Sequence, residues 1–146
     1  MILISHRGNT NGPSNRENHP DYLLETYNKN HYLEVDIREI GGLLYLGHDE
    51  PEYLIDFDFL AKIHQRTYFH AKNIEALDLL MKYRLKCFFH DKDDHTITSN
   101  GYIWTYPEKP VTCMSIIVCQ TEEQTIAYSK KVVFGICTDY LNLIGS

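Results

Sequence analysis

The sequence predicts an α/β fold with a mainly parallel sheet. Apolar, strand-like runs alternate with helix-like segments along the whole chain, which is the pattern of parallel α/β proteins. Polar residues that could carry chemistry follow the ends of the strand-like runs. No internal repeat or low-complexity tract interrupts this order, and 146 residues is the length of one domain. We therefore expect a single domain over residues 1–146.

Seven apolar runs are predicted to form parallel strands. The first is short and continuously apolar, and the second alternates, with Leu33, Val35 and Ile37 on one face. The opposite face of that strand carries Glu34, Asp36 and Arg38. The predicted strands cover residues 2–4, 32–38, 67–72, 85–90, 102–106, 115–119 and 132–139.

Four helices and a hairpin arm are predicted between these strands. Helical patterns cover residues 20–30, 55–65, 73–84 and 121–131. Their expected N-caps include Asn18, Asn73 and Thr121, because short polar side chains satisfy free backbone N–H groups. Gly41 and Gly42 form a two-residue turn signal, so residues 43–49 should fold back as a hairpin arm after the second strand.

Composition limits the classes of partner. Hydrophobic residues make up 43% and charged residues 23% of the chain, which is an ordinary globular balance. The net charge is -6 and no basic cluster is present, so no nucleic-acid partner is expected. No run reaches the roughly 18 apolar residues of a membrane span, and no export signal is recognised, so we expect a cytoplasmic protein whose four cysteines are buried free thiols.

Polar side chains gather where the predicted strands end. In parallel α/β folds, active sites form at the edge made by the C-terminal ends of the strands. The residues that follow or end these runs are His6 and Arg7, Glu34 and Asp36, His48 and Asp49, His70 and Lys72, His90 and Asp91, and Thr138 and Asp139.

The spacing of Glu34 and Asp36 predicts a cation site. Residues two apart on a strand share a face, and two adjacent carboxylates repel each other unless a cation or a shared proton compensates. A hard divalent metal ion is the simplest explanation. The alternative is an edge strand whose charged face is solvated.

Four further residues are candidates for acid–base chemistry and phosphate binding. His6 and His48 titrate near neutral pH, so one could accept a proton while the other donates one. Arg7 and Lys72 supply positive charge for a phosphate, or simply pair with the acidic residues. Candidates for a substrate pocket are Trp104, Tyr106 and Asp139, although the two aromatic rings could equally pack under a loop.

The sequence resembles the glycerophosphodiester phosphodiesterase family over roughly residues 3–50. The matching segments are His6-Arg7-Gly8, Glu17-Asn18, Glu34-Val35-Asp36 and Gly47-His48-Asp49, and residues 135–139 are similar to the family's last strand. The resemblance implies a (β/α) TIM-like barrel, His6 and His48 as acid and base, and Arg7 as phosphate ligand. It also implies one divalent cation on Glu34 and Asp36.

The chain departs from the family in one ligand and in size. The family's E-x-K motif reads His70-Ala71-Lys72, so His70 would replace a third metal-binding carboxylate. Imidazole suits transition metals, so we expect Mn²⁺ or Mg²⁺ rather than Ca²⁺. A full barrel needs about 200–250 residues. We therefore expect a contracted barrel of about seven parallel strands, with any gap in its wall covered by a second subunit in a homodimer.

The expected activity is hydrolysis of a glycerophosphodiester-type phosphodiester, a reaction of lipid metabolism. Two alternatives stay open. The first is a phosphodiesterase that acts on a phospholipid head group or a nucleotide-type diester. The second is a non-catalytic module that binds a phosphorylated small molecule, with His70 marking the loss of catalysis.

Overall fold

The computed structural model describes residues 1–144, which form a mixed α/β fold around one curled sheet. The strands are β1 Ile2–His6, β2 Tyr32–Ile40, β3 Leu43–Leu46, β4 Tyr53–Ile55, β5 Thr67–Ala71, β6 Cys87–Phe89, β7 His95–Ile97, β8 Ile103–Thr105, β9 Ser115–Cys119 and β10 Gly135–Thr138. The helices are α1 Pro20–Asn28, α2 Phe57–Ile63, α3 Ile74–Lys82 and α4 Glu122–Ser129, with 3-10 turns at His64–Arg66 and Leu141–Leu143.

Parallel pairings join all the strands that the sequence predicted. Their spatial order is β6, β5, β2, β1, β10, β9, β8, and each neighbouring pair is parallel. Three additional pairings are antiparallel: β3 with β2, β4 with β3, and β7 with β8. The α/β class is confirmed, and the sheet is a curled half-barrel that mixes parallel and antiparallel strands.

The predicted hairpin arm is confirmed. Gly41 and Gly42 have φ values of 59° and 81°, which is the left-handed region that a tight two-residue hairpin turn requires. The arm continues into β4, a strand that the sequence did not reveal because it is only three residues long and its last residue, Ile55, was assigned to the predicted helix over residues 55–65.

A second unpredicted strand, β7, lies beside β6. Thr96 Oγ1 donates to the Phe89 carbonyl at 3.1 Å, and Ser99 N donates to the Cys87 carbonyl at 2.8 Å. The free side of β6 is therefore covered by residues of the same chain. The expected homodimer stays a prediction.

The predicted alternation of β2 is confirmed: one face of the strand packs in the core, and the other carries the candidate site residues. Leu33, Val35 and Ile37 are fully buried in one core cluster with residues of α1, α2 and α3. A second cluster fills the inside of the curl: Ile4, Tyr68, Phe88, Trp104, Ile116, Val118 and Cys137. Glu34 and Asp36 are also buried, at 2% and 0% exposure, so this polar face of β2 is not solvated.

Two predicted helix caps are confirmed and one is wrong. Asn73 Oδ1 accepts from Ala76 N at 3.0 Å, and Thr121 Oγ1 accepts from Gln124 N at 3.1 Å. The N-cap of α1 is His19, whose Nδ1 accepts from Asp21 N at 3.1 Å. Asn18 has a φ of 63° and its side chain bonds elsewhere, so it does not cap this helix.

Two findings bear on the remaining expectations. In residues 1–144, no helix combines the length and the apolar character needed to cross a membrane. The four cysteines are free thiols, but Cys113 is exposed, which corrects the expectation that all of them are buried.

Candidate functional site

A pocket of about 150 Å³, here called the inner pocket, opens where the parallel strands end. Seven of the predicted residues line it: His6, Arg7, Glu34, His48, His70, Trp104 and Tyr106. The remaining lining comes from Phe88, Val118, Cys119 and Gln120. Six strands, β1, β2, β5, β6, β8 and β9, and the loop after β3 thus bring residues from distant parts of the sequence to one place.

Glu34, Asp36 and His70 form a buried group that could hold a metal ion. One ligand atom from each lies within 4.8 Å of the others. His70 Nδ1 is 3.5 Å from Glu34 Oε1 and 3.3 Å from Asp36 Oδ1. The parallel pairing of β2 with β5 places Asp36 directly opposite His70, so the sheet register creates this group.

Two carboxylate oxygens in this group have no hydrogen-bond partner. Glu34 Oε2 and Asp36 Oδ1 are both buried, and neither accepts a hydrogen bond. Leaving a buried acceptor unsatisfied costs about 1–3 kcal/mol, and more when the group is charged. A divalent cation would satisfy both oxygens, so the residues present fit the metal that the sequence predicts.

When no metal is bound, His70 compensates the negative charge of the Glu34 and Asp36 carboxylates. Burial alone would lower its pKa, but the adjacent carboxylates of Asp36 and Glu34 raise the pKa to about 9. The pKa of Asp36 is correspondingly lowered, although its burial acts in the opposite direction. The ring stacks on Phe88 with centroids 4.7 Å apart, and its Nε2 lies 3.5 Å from the His90 carbonyl. An imidazolium therefore occupies the edge of the site, and a metal ion bound through Nδ1 would require the loss of its proton.

Asn18 positions Asp36 through two hydrogen bonds. Its Nδ2 donates to Asp36 Oδ2 at 2.9 Å, and its Oδ1 accepts from the Asp36 backbone N–H at 3.1 Å. The positive φ of Asn18 directs the side chain inward rather than towards α1. One oxygen of Asp36 is thus held in place while the other stays free for a ligand.

Arg7 bridges the acidic group and the rim of the pocket. Its Nη1 donates to Glu17 Oε1 at 3.1 Å, and its Nε lies 3.0 Å from Asp36 Oδ2 without the angle of a hydrogen bond. The side chain is 19% exposed, so part of the guanidinium faces the pocket. A planar guanidinium in this position can bind two oxygens of a phosphate.

His6 is supported by an aspartate, as in many general bases. His6 Nδ1 lies 2.9 Å from Asp139 Oδ1, and Asn9 Nδ2 donates to the same oxygen at 2.8 Å. A proton on Nδ1 would leave Nε2 free, 3.7 Å from Glu34 Oε2. Burial lowers the pKa of His6, but the Asp139 hydrogen bond and the charge of Glu34 raise it overall.

His48 sits on a loop that is clamped by Arg38. Arg38 Nη2 donates to the carbonyls of Gly47 and His48 at 3.0 and 2.8 Å, and Nη1 donates to that of Asp49 at 3.3 Å. The His48 side chain is 42% exposed, and its Nδ1 lies 2.6 Å from Asp49 Oδ1. It is therefore the more exposed of the two predicted catalytic histidines.

Two of the predicted site residues, Lys72 and Asp139, are not among the described residues that line the inner pocket, whereas Trp104 and Tyr106 are. Lys72 follows the end of β5 and donates its backbone N–H to Ile37. Asp139 holds His6 from behind rather than lining the cavity. Trp104 forms the buried floor at 2% exposure, stacked on Phe88, and Tyr106 stacks on His90.

The sequence reasoning missed four positioning residues. Asn18 and Glu17 belong to the matched family segment, but their contacts with Asp36 and Arg7 span the first loop. Arg38 shares the charged face of β2, which was the available signal for its role. His90 directly follows β6; its backbone carbonyl lies 3.5 Å from His70 Nε2, and its ring is edge-on to the His70 ring.

Comparisons with known proteins give no match. No protein-family model, curated protein or solved structure matches this chain. The family resemblance therefore stays a prediction, and any functional conclusion must rest on the residues of the site.

Proposed function

We propose that the protein is a metal-dependent phosphodiesterase that hydrolyses a glycerophosphodiester-type phosphodiester with His6 and His48 as general base and acid. One observation supports this above all others. The inner pocket is lined by the partly exposed Arg7 and by His6 and His48, together with Glu34 and His70 of a buried group that could hold a cation and that has two orphaned carboxylate oxygens. A cation, an arginine and an acid–base pair are the groups that hydrolysis of a phosphate diester requires.

In this proposal the two histidines have different tasks. His6 carries its proton on Nδ1, towards Asp139, so Nε2 removes the proton from a water molecule that attacks phosphorus. The bond from phosphorus to one ester oxygen breaks, and His48 donates a proton to that oxygen. The products are a phosphate monoester and a free alcohol. The solvent-exposed position of His48 favours it as the acid, because the alcohol can leave there.

Arg7 binds the non-bridging phosphate oxygens in this proposal. Glu17 and Asp36 fix the guanidinium from two sides, so it is oriented before substrate binds. A divalent ion on Glu34, Asp36 and His70 would neutralise negative charge that develops on the phosphate. A nitrogen donor in the ligand set favours a transition metal such as Mn²⁺ over Ca²⁺.

A contracted (β/α) barrel is the architecture that fits this proposal. The curled sheet carries its parallel strands in an order compatible with an incomplete barrel. The candidate site lies at the C-terminal ends of those strands, where barrel enzymes keep their active sites.

The direct test is a screen of phosphodiesters with the purified protein, with Mn²⁺, with Mg²⁺ and with EDTA. We expect hydrolysis of glycerophosphodiesters that requires metal and is lost in Asp36→Asn, which removes one ligand charge but keeps the shape. Asp78→Asn, on the exposed face of α3, is the matched control and should retain activity. Metal-independent turnover, or equal activity of Asp36→Asn, would contradict the proposal.

A second candidate is a non-catalytic module that binds a phosphorylated small molecule. The observation that favours it is the contact of His70 Nδ1 with Glu34 Oε1 and Asp36 Oδ1, at 3.5 and 3.3 Å, which raises the pKa of His70 to about 9 and lets an imidazolium take the place of a metal. Calorimetry with a glycerol phosphate monoester in EDTA separates the two. Tight binding in EDTA, with no turnover in any metal, would favour the module over the enzyme.

A further inference from the structure

A second cavity adjoins the candidate site. This outer pocket, about 230 Å³ in volume, lies between residues 14–18 and residues 48–52 and shares Arg7 and His48 with the inner pocket. Both residues have specific tasks in the proposed function, so the outer pocket begins where the phosphate would be bound. A phosphodiester carries two esterified alcohols, and the inner and outer pockets meet where its phosphate is expected to bind.

The two cavities differ in chemistry. The inner pocket has an aromatic floor, with Phe88 and Trp104 stacked at 4.2 Å between ring centroids. The outer pocket is lined by polar side chains, among them the hydroxyl of Ser14 and the amide of Asn15. A small alcohol carrying hydrogen-bonding groups is therefore better suited to the outer pocket than an apolar chain.

The charged side chains that line the outer pocket further restrict which alcohol it can accept. Glu17, Asp49 and Glu52 line the outer pocket, and the cations among its described lining residues are Arg7 and, while it carries the proton of the proposed acid, His48, whose Nδ1 lies 2.6 Å from Asp49 Oδ1. Arg7 is already held by Glu17 and Asp36. The Asp49 side chain is 86% exposed and Glu52 is exposed, and both residues line the space that a bound group would enter. An additional negative charge there would be repelled.

We infer that the outer pocket receives the leaving alcohol, and that it selects neutral or cationic alcohols against anionic ones. This inference rests on the proposed function. It identifies the substrate as a diester with a small polar leaving alcohol that bears no second phosphate or carboxylate. It also disfavours nucleotide-type diesters whose leaving alcohol carries a further phosphate.

The test uses three diesters of glycerol phosphate that differ only in the charge of a two-carbon leaving alcohol. The alcohols are 2-aminoethanol, ethane-1,2-diol and glycolic acid, which carry a positive charge, no charge and a negative charge. We expect kcat/KM to be about tenfold lower for the anionic diester than for the neutral one at low ionic strength. In about 0.5 M NaCl this ratio should shrink, because salt screens exposed charges.

Charge reversal at Glu52 makes the test specific. Glu52 has no task in the proposed catalysis, so Glu52→Lys should hydrolyse the neutral diester at the wild-type rate, within about twofold. Its ratio of neutral to anionic kcat/KM should fall about fivefold or more, since one carboxylate is replaced by an ammonium. Glu123→Lys is the matched control: it makes the same change on an exposed residue of α4 outside both cavities and should keep the wild-type ratio.

The outcomes are distinct. Equal kcat/KM for all three diesters in the wild type, or an unchanged ratio in Glu52→Lys, would overturn the inference and leave the phosphodiesterase standing. Hydrolysis of none of the three would overturn the proposed function and the inference together.

Discussion

Asn18 uses both ends of its side-chain amide to hold Asp36, one on the carboxylate and one on the backbone N–H. The residue is 1% exposed and adopts a left-handed backbone conformation, which asparagine tolerates better than other non-glycine residues. The first loop of the chain therefore fixes a proposed metal ligand on β2. The loop that follows the first strand is part of the site rather than a simple connection.

This relationship predicts the behaviour of Asn18→Ala. We expect Mn²⁺ affinity to fall about 10–100-fold, because Asp36 loses the partner that orients it. Stability should also fall, by about 2–3 kcal/mol, from the lost hydrogen bonds and the unfavourable φ. Calorimetric metal titration and thermal unfolding measure the two effects. Asn18→Gly, which suits the backbone, is the control: it should recover part of the stability but none of the metal affinity.

The two histidines predict a loss of turnover without a loss of metal. His6→Ala and His48→Ala should each reduce phosphodiesterase kcat by about 100-fold or more, the usual scale for general acid–base catalysis. Mn²⁺ affinity should change little, since neither residue belongs to the ligand group. His64→Ala, in the turn before β5, is the matched control and should keep full activity. Activity within a few fold of wild type in either pocket variant would show that the acid–base assignment is incorrect.

The strand pattern explains how much of this site could be predicted from the sequence. The alternation in β2 predicted that Glu34 and Asp36 face away from Leu33 and Val35, because period-two alternation is a local property. His70 could be placed at the same edge because it lies near the C-terminal end of a parallel strand. The sequence could therefore place Glu34, Asp36 and His70 together from two observations. One is the two-residue periodicity of a strand, and the other is the rule that active sites form at the C-terminal ends of parallel strands.

Other features depend on long-range contacts that no local pattern encodes. Asn18 looked like a helix cap, but a carboxylate 18 residues away binds its amide. β7 is three residues in a charged stretch, and it is a strand only because β8 pairs with it. Lys72 was placed with His70, but β5 ends at Ala71, so the alternation that would direct its side chain inward no longer applies.

The clamp on the His48 loop predicts a positioning role for Arg38. Arg38→Met removes the hydrogen bonds to three consecutive carbonyls but keeps most of the apolar stem. We expect kcat to fall about tenfold or more through displacement of His48. KM and Mn²⁺ affinity should stay within about twofold. A parallel loss of metal binding would instead indicate a general structural role, and Arg38→Lys should restore part of kcat if a cation near the carbonyls is sufficient.

His70 predicts a pH dependence of stability in the metal-free protein. Its folded-state pKa of about 9 exceeds the ordinary value of 6.5, so the imidazolium stabilises the folded state. That contribution is fully present below pH 6.5 and is lost as pH rises through about 9; it amounts to at most about 3 kcal/mol. In EDTA, Tm should fall across this range. His70→Gln should show a smaller fall, and an equal fall would contradict the assignment.

Metal preference provides the sharpest test of His70 as a ligand. Three carboxylates would suit Ca²⁺ or Mg²⁺, whereas a neutral imidazole removes one negative charge and adds a nitrogen donor. We expect wild-type affinity to follow Mn²⁺ over Mg²⁺ over Ca²⁺. His70→Glu should shift the order towards Ca²⁺ and Mg²⁺, and His70→Gln should weaken all three ions.

If His70 is a metal ligand, Mn²⁺ affinity should also depend on pH. Because the metal-free His70 is protonated up to about pH 9, Mn²⁺ must displace that proton before Nδ1 can bind it. Apparent Mn²⁺ affinity should therefore rise with pH, by up to about tenfold per unit, and level off near pH 9. In His70→Glu this dependence should disappear over the same range, since a carboxylate there titrates at lower pH. An unchanged metal order in His70→Glu, or a flat wild-type profile, would show that His70 acts as a counter-ion and does not bind the metal.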